Sequence, residues 1–139
     1  MKWFRPFRKE PQTAAAPMPP PRTPDPAPIQ IDEVTPHMVQ SALDAGEALL
    51  FVDVRQRWDY EMQRPARAIS LPLNELPERY DELDRSQRIV LTCYHGYTSL
   101  QGAAFLMQQG FVNVQSMSGG FAGWAQAGLP IAVSDRARE

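Results

Sequence analysis

From Ile29 onward the apolar residues fall into short continuous runs, and the stretches between them carry helical spacing. Gln30, Ile31 and Asp32 read as a short opening strand. Thr35 then suits an N-cap with Pro36 at the first helical position, where a missing N–H costs nothing. Met38, Val39, Ala42 and Leu43 give that helix one apolar stripe, and Gly46 ends it. The run from Ala48 to Val54 is nearly unbroken, as in a strand buried on both faces. A charged turn of helix is predicted around Trp58 to Glu61, then a short strand over 68–71 stopped by Pro72. Residues 74–83 read as a short helix or two turns, broken by Pro77. Ile89 to Thr92 is again strand-like, and a helix follows from about Ser99 to Gln109. Gly110 closes it in the left-handed position that follows many helices. A strand over 112–117 leads through Gly119 and Gly120 into a last helix that includes Trp124.

Strands alternate with helices throughout, and the strand cores are apolar runs. That pattern predicts an α/β fold: a mostly parallel central sheet with helices on both faces, in a single domain spanning 29–133. A chain of 139 residues with 43% hydrophobic residues suits one such core. The net charge of -2 gives no general case for nucleic acid. No apolar run approaches the ~18 residues of a membrane span. One cysteine excludes an internal disulfide and any cysteine-rich zinc site, and it fits a reducing, cytoplasmic setting. Cys93 with His37 and His95 offers no metal-ligand spacing, so no metal is expected.

The first 28 residues differ in kind. Nine of the 14 prolines lie between Pro6 and Pro28, a composition that reads as a disordered or polyproline-like tether. Its head, Met1 to Lys9, mixes aromatics with cations and could make weak contact with an anionic membrane surface or a partner, although Pro6 interrupts it. It lacks the apolar stretch of a secretory signal. Ser134 to Glu139 is expected to fray.

The candidate chemistry centres on Cys93. It stands where a strand ends and a short loop enters a helix, so unpaired backbone N–H groups and the positive end of the helix dipole converge on it. Both favour an anion, a thiolate included. A lone cysteine is often only a small buried hydrophobe. Here, however, the loop is filled by Gly96, which permits a tight turn, and by His95, Thr98 and Ser99 in place of aliphatics. Asp53 ends the preceding parallel strand, so both residues belong to the crevice beyond the strand ends. Asp53 suits a structural role, holding the loop or pairing with Arg55. Arg55 and Asp59, spaced i,i+4, are placed to pair across a helical turn. His95 either polarises a substrate or merely turns the loop. Tyr94 and Tyr97 either shape the pocket mouth or face solvent, and Trp124 is expected to plug the core.

Together these residues resemble a rhodanese domain. The resemblance rests on Asp53-Val54-Arg55, on Leu71-Pro72-Leu73, and on a loop from Cys93 to Ser99 of the family's active-site length. Ser118-Gly119-Gly120-Phe121 with Trp124, and Gly128-Leu129-Pro130, complete it over about 31–133. It implies a sulfurtransferase in which Cys93 is catalytic and takes up a sulfane sulfur as a persulfide. The loop residues Tyr94, His95, Gly96, Tyr97, Thr98 and Ser99 bind that persulfide through their backbone N–H groups, with Asp53 and Arg55 in support. The implied partners are a small donor (thiosulfate or a persulfide) and a thiol, cyanide or protein acceptor, with no cofactor.

Three positions depart from the family pattern. Thr98 stands where many members carry arginine, Gln63-Arg64-Pro65 replaces a Gly-His-Ile segment, and Arg67 replaces a common glycine while adding a positive charge for the crevice. Cell-cycle phosphatases share the fold but close a longer loop on an arginine, which neither Thr98 nor Ser99 supplies. The remaining alternative is a non-catalytic module that docks a partner or carries sulfur for it.

Overall fold

The computed structural model describes residues 16–21 and 29–134. Most of the tail assigned to 1–28, and the residues beyond Ser134 expected to fray, lie outside the described residues. The elements run β1 (Asp32–Val34), α1 (Pro36–Asp44), β2 (Leu49–Asp53), α2 (Arg57–Met62), β3 (Arg64–Pro65) and β4 (Ile69–Ser70). A turn of 3-10 helix over Leu73–Glu75 leads into α3 (Leu76–Arg79), and a second such turn follows. The chain continues through β5 (Arg88–Thr92), α4 (Thr98–Gln108), β6 (Val114–Met117), α5 (Gly120–Gln126) and β7 (Ile131–Ala132).

Five strands form one sheet in the order β1-β6-β5-β2-β4, every neighbouring pair parallel. Apolar strands make this possible because both faces are covered. Val52, Ile89 and Leu91 point into one core with Leu76, Ala103 and Leu106 of α3 and α4. Phe51, Val90 and Met117 point into the other with Val39 of α1 and Trp124 of α5. Trp124 fills that second core, its ring 5.4 Å from Phe51 and its indole N–H donating to Pro130 O at 2.8 Å. The expected α/β architecture is therefore the one formed.

Local signals explain most element boundaries. Thr35 Oγ1 accepts from the Met38 N–H at 3.2 Å, capping α1 above Pro36. The opening strand sits two residues later than predicted, because Asp32–Val34 is the stretch in register with β6. Pro77 corrects a second expectation. It lies in the first turn of α3 and does not break it, since a first-turn residue has no intrahelical N–H bond to lose. The small antiparallel pair β3–β7, with Arg64 opposite Ala132 and Pro65 opposite Ile131, carried no sequence signal.

Arg67 also falls differently from expectation. It lies two residues before β4, on the side of the parallel sheet away from Asp53 and Cys93, and reaches Asp44 at 3.6 Å. It adds no charge to the crevice. Its φ of 72° is left-handed, the conformation a glycine would adopt there without strain.

Among the described residues no helix is long and apolar enough to cross a membrane. Among the described residues, both cores draw on Ile31 and those after it, and residues 16–21 are exposed. We propose that 29–133 is the folding unit. A protein lacking residues 1–28 is expected to melt within about 5 °C of the full chain, the shift that ~1 kcal/mol produces in a domain of this size. A larger drop in a calorimetric scan would place part of the tail in the fold.

Candidate functional site

Parallel strands bring their carboxyl ends to one edge, and the candidate residues gather there. Asp53 and Thr92 end β2 and β5 in register, and Cys93 follows directly. Leu71 N–H donates to Asp53 O and Leu73 N–H to Val54 O, so the Leu71-Pro72-Leu73 step runs along the same edge.

The loop from Cys93 to Tyr97 curls around the sulfur. Gly96 N–H donates to Cys93 Sγ at 3.0 Å, and the thiol lies 3.3 Å from Ser99 Oγ, to which S–H donates. Once the sulfur is ionised, the same hydroxyl can turn and donate to it. Ser99 Oγ is in turn 2.7 Å from Ser116 Oγ of β6, and both hydroxyls are fully buried. Ser116 escaped the sequence reading, since a small residue among apolar strand neighbours gives no sign of a polar partner. Of the loop amides, Gly96 is the one that donates to the sulfur, and a side-chain hydroxyl supplies the second contact.

Backbone from α5 fixes the loop from behind. Phe121 N–H donates to Cys93 O at 2.7 Å and Ala122 N–H to Tyr94 O at 3.0 Å. This approach leaves no room for side chains. A Cβ on Gly120 (φ +56°) would lie 2.5 Å from Cys93 O, and one on Gly96 (φ +98°) would lie 3.0 Å from Gly119 N. Gly96 and Gly120 thus allow one backbone to seat directly on another.

Asp53 and Arg55 form the side wall. The Arg55 guanidinium grips the Asp53 carboxylate through Nε and Nη2, with Nη2 at 2.8 Å, and also donates to Gln63 O at 2.6 Å. Its flat face lies 4.5 Å from the Phe121 ring centre. Asp53 is fully buried and Arg55 only 7% exposed. Pairing of Arg55 with Asp59, suggested by spacing, does not occur. Arg55 precedes the first residue of α2, so the two do not share a helical turn, and the buried carboxylate of Asp53 is the stronger partner.

Cys93 is 3% exposed and lines a cleft of about 380 Å³ together with Arg55, Asp59, Asn74, Tyr94 and Thr98. Thr98 is exposed in its wall. Tyr94 and Tyr97 are exposed, and Tyr94 meets His95 edge-on at 4.5 Å. His95 is exposed on the outer side of the loop and makes no hydrogen bond with the sulfur. Next to the wall residues Gln56 and Asn74, Arg57 pairs with Glu75 at 3.0 Å, and Arg79 shares the same carboxylate. Partial desolvation works to raise the Glu75 carboxyl. Hydrogen bonds from Arg79 and Arg57 outweigh it, so Glu75 stays below its ordinary value and balances the two cations.

The backbone seat yields a direct test. Gly120→Ala must hold a left-handed residue, at ~1–2 kcal/mol, and also push a methyl into a carbonyl. A loss of more than about 2 kcal/mol in denaturant unfolding is expected. Unchanged stability would mean that α5 can withdraw from the loop without cost.

Comparison with known proteins agrees with this geometry. Residues 35–127 match the model of the rhodanese-like domain. The thiosulfate sulfurtransferase GlpE of Haemophilus influenzae (strain PittEE) is 39% identical over 104 residues, covering 74% of this chain and 96% of that protein. GlpE of Actinobacillus pleuropneumoniae serotype 7 is 35% identical over 99 residues, covering 71% and 91%. Among solved structures, a rhodanese-related protein from Thermoplasma volcanium superposes with a TM-score of 0.67 at 25% identity, covering 74% of this chain and 99% of that one. The thiosulfate sulfurtransferase of Pseudomonas aeruginosa gives 0.70 at 27% identity, with 76% of this chain matching 21% of a longer one. The matched span takes in the sulfur at the strand end, the loop around it and the start of α5 behind it, and this chain belongs to the rhodanese-like domain family.

Proposed function

We propose that the protein is a sulfurtransferase that carries a sulfane sulfur on Cys93. The observation that bears most weight is the placement of Sγ, which faces a cleft while receiving the Gly96 N–H at 3.0 Å and standing 3.3 Å from the Ser99 hydroxyl. One fixed amide donor and a hydroxyl that can turn to donate suit an anion at this sulfur, a persulfide as well as a thiolate. The sulfurtransferase activity named for its relatives supports the same reading.

The reaction divides into two displacements. The Cys93 thiolate attacks the outer sulfur of a donor such as thiosulfate. A new S–S bond forms, the donor's S–S bond breaks, and sulfite leaves with the electron pair. An acceptor thiol, cyanide or protein cysteine then attacks the outer sulfur of the persulfide, and Cys93 departs as thiolate. Each half-reaction exchanges one S–S bond for another or for S–C, so neither needs an external oxidant. Ser99 and Gly96 hold the negative sulfur at both stages. Asp53 and Arg55 act as positioning residues for the wall, each already satisfied by the other.

Cys93→Ser should fold normally and lose sulfur transfer entirely, because a hydroxyl has no accessible anion near neutral pH. Mass spectrometry of the wild-type protein after exposure to donor should show the gain of one sulfur atom at Cys93. A folded wild-type protein that neither takes up nor releases sulfur would be a docking module instead. Thr98→Arg should raise kcat/KM for thiosulfate by roughly ten-fold or more, the effect of one charge-assisted hydrogen bond of ~1.5–3 kcal/mol. No gain would mean that position 98 does not meet the donor.

A further inference from the structure

The cleft at Cys93 adjoins a second of about 520 Å³, and the two share Arg55, Asp59 and Tyr94. Their charged lining consists of Arg55 and Asp59 alone. Arg55 is neutralised by Asp53 through a two-pronged contact. Asp59, half-buried between the clefts, has no ion-pair partner among the described residues. The position that could have supplied a cation beside the sulfur is Thr98, and Arg67 stands on the side of the sheet away from Cys93. The shared space therefore carries one uncompensated carboxylate beside an exposed tyrosine ring. A carboxylate next to an aromatic face is a pairing that receives an ammonium group.

We propose that Asp59 is a specificity-determining residue, selecting as sulfur acceptor a small aminothiol whose ammonium group lies against the Asp59 carboxylate while its sulfur reaches Cys93. This rests on the sulfurtransferase reading above. The cleft volume is that of a small-molecule site. The aminothiol, as thiolate, attacks the outer sulfur of the Cys93 persulfide. The Cys93–sulfur bond breaks, Cys93 keeps the electron pair, and the proton of the persulfide travels with the transferred sulfur. An anionic acceptor meets both Asp59 and the negative sulfur and is disfavoured.

Two measurements on the full-length protein separate this proposal from the reading beneath it. In the first, the lone cysteine is modified by 2-aminoethyl and by 2-sulfonatoethyl methanethiosulfonate, each rate divided by that for a free small thiol. The cationic reagent should react about two- to five-fold faster on this scale, the range expected of a half-exposed ion pair. Asp59→Asn should bring the ratio close to one, Asp59→Glu should retain it, and high salt should shrink it. In the second, protein loaded with a persulfide by polysulfide is discharged with cysteamine, 2-mercaptoethanol or 3-mercaptopropionate, each corrected for its intrinsic reactivity. Cysteamine should lead 3-mercaptopropionate by a similar factor, through tighter acceptor binding at an unchanged limiting rate, and Asp59→Asn should abolish the lead. Ratios that do not change in Asp59→Asn, or a change common to all reagents, would overturn the proposal. If Cys93 never loads with sulfur while the reagent ratio still depends on Asp59, charge selection stands and sulfur transfer falls.

Discussion

The site depends on a contact between two pieces of backbone. The Cys93 and Tyr94 carbonyls accept from Phe121 and Ala122, and this is possible only because Gly120 on the helix and Gly96 in the loop present no side chains there. With those carbonyls turned back toward α5, the Gly96 N–H is left facing the sulfur. A carbonyl turned the other way would point a negative dipole at an anion. The orientation of one loop's peptides is thus set by the start of a helix whose Phe121 also backs the Arg55 wall of the cleft.

Charge is handled differently on the two sides of the sulfur. Below and behind it, polar groups are buried and fully matched: Asp53 with Arg55, Ser99 with Ser116. Such pairs fix geometry, since removing either partner would strand the other in a dry interior. Toward solvent, Asp59 and Thr98 are accessible and unmatched by any cation among the described residues, so the outward side of the cleft is where substrate charge can be read. Rigid donors at the sulfur and an adjustable rim divide the chemistry from the selectivity.

Much of this was legible in the sequence because strands covered on both faces leave unbroken apolar runs. Ala48 to Val54 and Ile89 to Thr92 located β2 and β5 within a residue or so, and with them the edge where Cys93 had to lie. Thr35 and Pro36 were equally readable, since capping is a local matter. Interactions between segments distant in sequence were not. The hydroxyl of Ser116 meets Ser99 only through strand order. The sequence offers Arg55 both Asp53 and Asp59, and the guanidinium pairs with Asp53, the buried carboxylate two residues before it. Pro77 was misread because proline ends a helix in its interior but begins one in its first turn. The two-residue strands β3 and β7 are too short to leave a period, and Pro65 argues against a strand except at an edge.

That short pair has a mechanical role. Arg64 and Pro65 hold Ala132 and Ile131, Ala66 N–H donates to Pro130 O, and Ser134 N–H donates to Glu61 O. Pro130 O also receives the Trp124 indole. The segment after α5 therefore works as a strap, running from the core tryptophan across to α2 and setting Val133 in the wall of the larger cleft. Tension applied beyond Ser134 would be delivered first to α2 through Glu61, before reaching the sheet or the sulfur. A fusion or tether attached there would pull on the rim that reads substrate charge while leaving the reactive centre in place.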